Sequence, residues 1–226
     1  MATLYYDNDT GDYDWATLGN WRLDNFTGTR VPATSLPTSS DDVVVAADVW
    51  TNAGSAPTVA NLTVLGGNFA ISSQTITVPG VAYFGPASSM ECGVAGGEVI
   101  ADGCNSYGQN GALTITGHLT VNGGTVIQQF IGCDAVFNDT SSFGDYLMGN
   151  GTFNHNSRSG TYMSVNYDAT FNDSSYCDGP VDGDATFNDS SYCTANGVIA
   201  GTETYANRTP YPIPRGINGS SILGVI

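Results

Sequence analysis

Apolar and polar residues alternate in short bursts along this chain. In "ATFN", Ala and Phe occupy one phase and Thr and Asn the other, a period of two that marks a strand with one buried face. The same phase recurs in "AVFNDTSSF" (135–143), "GTFNHNSRSG" (151–160), and the two copies of "DATFNDSSYC" (168–177 and 184–193). Aligning the four puts Phe137, Phe153, Phe171 and Phe187 in one column, at steps of 16, 18 and 16 residues. Asn138, Asn154, Asn172 and Asn188 fill the next column. A weaker fifth member, "LTVNGG", sets Val121 sixteen residues before Phe137.

Self-similarity at a short fixed period signals stacked units that bury their apolar faces against one another. Sixteen to eighteen residues are too few for a strand–helix pair and enough for two or three short strands with bends. Helix formers are scarce, with three Glu and no Lys. The pattern predicts an all-β fold, a parallel β-solenoid whose 16–18-residue rungs lie about 4.8 Å apart. Ala169 and Phe171 are expected inside, with Ala185 and Phe187 in line. The Thr column (Thr152, Thr170, Thr186) and the Asn column (Asn154, Asn172, Asn188) are expected outside or at bends. Tyr176 with Tyr192, and Cys177 with Cys193, form further expected ladders.

Upstream, "NLTV" (61–64), "FAIS" (69–72), "TITV" (75–78), "VAYF" (81–84), "ALTIT" (112–116) and "HLTV" (118–121) carry the same theme at shorter intervals. Three sides of roughly six residues would make one turn. Residues 86–111 break the pattern and read as a long loop or a wider rung. Residues 1–57, with Trp15, Trp21 and Trp50, read as an N-terminal cap or attachment region, because a bare solenoid end exposes an unpaired edge. The solenoid itself is expected over 58–205. Residues 206–226 read as an extended tail: Pro210, Pro212 and Pro214 exclude a central strand, and Ile222, Leu223, Val225 and Ile226 form an apolar assembly tail.

Charge narrows the partners. The 226 residues carry a net −16, with no lysine and only five arginines. Such a surface repels nucleic-acid phosphates and anionic lipid, so neither nucleic acid nor membrane is expected as a partner. No stretch approaches a membrane helix in length, and the N-terminus has neither the basic start nor the apolar run of a secretory signal. From this, assembly without conventional secretion is expected. The five cysteines are odd in number, no CxxC is present, and His118 and His155 are the only histidines, so a zinc site has little support. Free thiols are expected at Cys177 and Cys193, although rung spacing would bring them within disulfide range.

The candidate chemistry is sparse. Asp7, Asp9, Asp12 and Asp14 lie close together with Gly11 available for a turn, which makes Ca2+ the one candidate cofactor, though the EF-hand pattern is not met. The flat T-x-N array resembles the regular Thr faces of ice-binding proteins. Asp173 and Asp189 stand in a ladder with His155 in the equivalent place of its own rung. Catalysis needs a singular arrangement and repeats are not singular, so no enzymatic activity is expected. Four N-x-S/T sequons, at Asn61, Asn138, Asn172 and Asn188, are expected by chance at this composition.

"DYDWATLGNW…LPTSSDDVVV" (12–45) resembles the start of many β-solenoid surface proteins, where a Trp pair and a Pro-then-Asp-Asp stretch lead into the first buried strand. The "ATFNDSSY" rungs resemble repeats of bacterial surface proteins and of structural proteins of aquatic phages. "PRGINGSSILGVI" is similar to the endings of small virion proteins from such phages. Together these stretches cover about a third of the chain. The resemblance implies a virion structural protein, a fibre, spike or capsid-decoration subunit located in the virion. It also implies a homo-oligomer, trimeric as first expectation, with other virion proteins and a host-surface glycan as partners. The alternative is an extracellular or cell-surface adhesin or filament subunit, and the third reading is an ice-binding module.

Overall fold

The structure, a computed structural model, describes residues 2–26, 28–51, 57–71, 75–106, 114–128, 130–160 and 164–206. The chain is a β-solenoid of about eight turns with coils of roughly 18 residues. One 15-stranded sheet runs the length of the stack. Strands Ala135–Phe137, Gly151–Phe153, Ala169–Phe171 and Ala185–Asn188 pair in parallel, each residue on its counterpart, with Phe137, Phe153, Phe171 and Phe187 in one register. Val121 lies under Phe137, as the weak fifth repeat predicts.

Each coil in the repeating half has three inward files. The first contains Ala and Phe on the long sheet. The second is Ile127, Phe143, Ser159, Cys177 and Cys193, joined in part by the pairs Val126–Ile127 with Ser142–Phe143 and Tyr176–Cys177 with Tyr192–Cys193. The third is Ile131, Leu147, Val165, Val181 and Ile199, linked by single bridges. The four Phe rings are fully buried and stack at 5.0, 4.7 and 5.0 Å, with planes within 9° of parallel. Rung spacing imposes this face-to-face geometry: like residues in register must meet at about the strand separation.

The sheet reaches further than the repeats. Thr3–Tyr6 pairs in parallel with Asp42–Val45, which pairs with Asn61–Ile71, so parallel stacking begins inside the segment read as a cap. The antiparallel strand Trp21–Arg22 closes that edge. Trp21 is fully buried and meets Trp15 edge-on at 4.7 Å, and Trp15 meets Phe69 at 5.9 Å. Trp50, by contrast, is 58% exposed. At the other end, Glu203–Ala206 adds a rung on Ala185–Asn188.

Residues 86–106 are rungs. Thr75–Met90 pairs with Gly93–Asp102 and with Asn105–Ser106, and register shifts between Val78 and Val81 mark a corner. Glycine hides this from a pattern search. A Cβ on Gly96 would lie 1.8 Å from the Val78 carbonyl oxygen, so backbones approach too closely there for any other residue. Among the described residues no helix is long and apolar enough to cross a membrane. The tail, including Ile222, Leu223, Val225 and Ile226, lies outside the described residues.

Candidate functional site

The polar side chains of the repeating half form ladders along the stack. Each Asn amide donates to the previous Asn carbonyl oxygen: Asn138 to Asn122, Asn154 to Asn138 and Asn172 to Asn154 at 2.8 Å, and Asn188 to Asn172 at 2.7 Å. Asn follows Phe at a corner, where its amide can turn along the stack and satisfy both of its ends. This half-buried file accounts for the Asn column. The neighbouring column, Thr152, Thr170, Thr186 and then Thr204, stays on the outer face of the sheet in strict register.

The residue after each Asn adopts a left-handed backbone. Asp139, His155, Asp173 and Asp189 have φ of 56–60°, a conformation Asp tolerates better than most residues. His155 holds that place between two acids. Its N–H donates to Asp173 at 3.2 Å and its Nδ1 is 3.8 Å from Asp139. The turn closes when the Ser two residues on donates its N–H back to the Asn carbonyl, as Ser175 does to Asn172 at 3.0 Å.

That serine forms a file which pattern reading misses. Ser141, Ser157, Ser175 and Ser191 are buried, and their hydroxyls donate to the carbonyls of Val121, Phe137, Phe153 and Phe171 one rung below, at 2.9–3.1 Å. Serine in a run of Asn and Asp looks like an exposed turn. The only signal is its fixed place, four residues after each Phe.

The acidic opening is tied up internally. Asp12 accepts from the Thr17 hydroxyl at 2.6 Å, the Asn20 amide at 2.7 Å and the Asp14 N–H at 3.0 Å, which hold its carboxyl well below the usual range. Asp14 accepts from the Ala16 N–H. Asp7 lies against both Arg22 and Arg30, at 3.2 and 3.3 Å, and Asp9 is 3.5 Å from Arg30. Gly11 has φ of +74°, as the turn requires. Among the described residues no three His, Cys, Asp or Glu side chains are grouped to hold a metal ion.

No disulfide is present among the described residues, which include all five cysteines. Cys177 and Cys193 are stacked partners in adjacent rungs. The Cys177 thiol is pushed up by its hydrogen bond to Cys193 and by burial, and the same hydrogen bond favours ionisation at Cys193, the more exposed of the two.

A shallow depression of about 470 Å³ opens on one corner of the stack. His118, Asp134 and Asn150 line it from successive rungs, and Met148, Tyr167, Gly117, Gly132 and Gly149 complete the lining. Cys133 lies in it with a thiol pushed up to about 11, chiefly by burial, so it is a protonated, weak nucleophile at neutral pH. His118 and Cys133 apart, sequence reading picks out none of these residues, because the corner becomes visible only when coils are stacked in register.

Comparison of the chain with protein-family models, with curated proteins and with solved structures found no match in any of the three.

Proposed function

We propose that this protein is a non-enzymatic building block of a phage or other virion, a fibre, spike or capsid-decoration subunit that assembles through its ends into a closed homo-oligomer. The observation that carries this reading is the continuity of the Phe, Asn and Ser files through successive rungs. Side chains repeated in this way serve cohesion between rungs. The virion setting draws support from the likeness of the repeats and the C-terminal stretch to structural proteins of aquatic phages; residues 12–45 resemble the start of β-solenoid surface proteins.

The genes beside this one discriminate best: capsid and tail genes support a virion part, whereas export genes favour the adhesin or filament reading. For assembly, the full chain is measured by light scattering beside a version lacking residues 210–226. The expected result is a closed oligomer, threefold as first expectation, that falls to monomer on deletion. A full chain that stays monomeric at high concentration overturns the assembly reading.

One observation favours a second function. The Thr152, Thr170, Thr186 and Thr204 file presents hydroxyls at a regular spacing on a parallel sheet, as an ice-binding surface requires. It is a single file, because the Asn amides bond to one another. Thermal hysteresis in a freezing assay would favour that function.

A further inference from the structure

The corner leading into the long sheet is built from three residues in every coil of the repeating half. Register aligns Thr116-Gly117-His118, Gly132-Cys133-Asp134, Met148-Gly149-Asn150, Asn166-Tyr167-Asp168, Asp182-Gly183-Asp184 and Ala200-Gly201-Thr202. The middle position is glycine in four of these six corners, and there the backbone explains it. A Cβ on Gly149 would lie 2.3 Å from the Cys133 backbone, and one on Gly183 2.6 Å from that of Tyr167. Tyr167 is the single large side chain in the file, and it is 56% exposed. Nothing in the packing of the core requires an aromatic ring there.

The depression lies over the first four of these corners, with Tyr167 in the last of them. Its long wall is the third corner position, His118, Asp134 and Asn150. Backbone bonding fixes two of these groups. Asp134 Oδ1 accepts the Asn150 N–H at 2.7 Å, and Asn150 Oδ1 accepts the Asp168 N–H at 3.2 Å. The second Asp134 oxygen and the Asn150 amide nitrogen have no hydrogen bond to a described residue.

We propose that this depression binds a neutral hexopyranose unit, with Tyr167 stacking on the C–H face of the sugar and Asp134, Asn150 and His118 taking its hydroxyls. A pyranose has an apolar face and an equatorial rim of donors and acceptors, which an aromatic ring beside a row of carboxylate, amide and imidazole complements. The charge of −16 and the Asp134 carboxylate select against uronates and other anionic sugars. The arrangement suits binding: glycoside hydrolysis needs two flanking carboxyl groups, and among the described residues Asp134 is the one carboxylate lining the depression. This gives the glycan expected as a partner a place on the molecule, and it holds whether the solenoid serves a virion or a cell surface.

The test is saturation-transfer NMR on the full chain with the methyl glycosides of glucose, galactose and mannose, and Tyr167 ring shifts read in parallel. At least one glycoside is expected to receive saturation at its ring C–H protons and to move the Tyr167 signals. Tyr167→Ala should weaken binding roughly tenfold. Tyr167→Phe, which keeps the ring, should retain binding, and Tyr192→Ala, on another side of the coil, should leave it unchanged. The proposal is overturned if none of the three glycosides perturbs Tyr167, or if Tyr167→Ala binds as the parent does.

Discussion

Phe171 stacks on Phe153 at 4.7 Å with ring planes 9° apart, eighteen residues away in sequence and one rung away in space. Both rings are fully buried, and Phe187 continues the stack at 5.0 Å. Replacing Phe171 with Ala therefore removes two ring contacts and leaves a hole that the rungs on either side cannot close. The expected cost is about 3–5 kcal/mol, read from denaturant unfolding.

The Asn ladder should show its connectivity in the cost of breaking it. Asn172 donates to Asn154 and accepts from Asn188, whereas Asn188 is followed in its column by Ala206. Asn172→Ala should destabilise by about 1–3 kcal/mol and by more than Asn188→Ala, because it leaves two half-buried amide groups unsatisfied. Equal effects at the two positions would argue against a continuous ladder.

At the left-handed turn, side-chain identity matters through the backbone. Asp189 has φ of 56°, so Asp189→Asn should be close to neutral, and Asp189→Val should cost about 1–2 kcal/mol from the Cβ clash. His155→Asp would place a carboxylate between Asp139 and Asp173. That variant should lose thermal stability at low salt and recover part of it as salt is added.

Acid should loosen the N-terminal turn first. Asp12 is held well below its ordinary range, foremost by the Thr17 hydroxyl, and Asp24 is held at about 2 by Arg22. A carboxylate depressed in the folded state contributes stability that is complete above its unfolded value, near 4, and lost as pH falls through the folded value. Fluorescence of buried Trp15 and Trp21 should therefore change between about pH 4 and pH 2, and Asp24→Asn should reduce the change.

The cysteines give a chemical test of burial. Five thiols should titrate in denaturant without reductant, and three or fewer, which means at least one disulfide, would contradict the structure. In the folded protein Cys193 should react before Cys92, whose thiol is fully buried and pushed far above its usual range.

Much of this architecture is legible because repetition exposes it. The Phe and Asn columns align in sequence, and the steps of 16 and 18 give the register directly. The early rungs are harder to see. Their glycines are placed by close backbone approach, as at Gly96, and break the alternation that marks a strand. The serine file is silent for another reason: Ser175 and Ser191 are buried by their bonds to the Phe carbonyls, and a hydroxyl shows no preference for the inside in sequence alone. Sequence does not separate the three Trp residues of the segment read as a cap: Trp15 and Trp21 are buried and Trp50 is exposed. Tyr167 needs the stacked coils before it stands out against a file of glycines.

The central claim is parallel stacking in strict register, and the outer Thr file tests it most directly. Thr152, Thr170 and Thr186 are paired in series on adjacent rungs. NMR of the methyl-labelled protein should show NOEs from Thr170 to Thr152 and to Thr186 and none from Thr170 to the Phe187 ring on the opposite face. Absence of the Thr–Thr contacts, or their replacement by contacts shifted by one residue, would contradict the stacked solenoid.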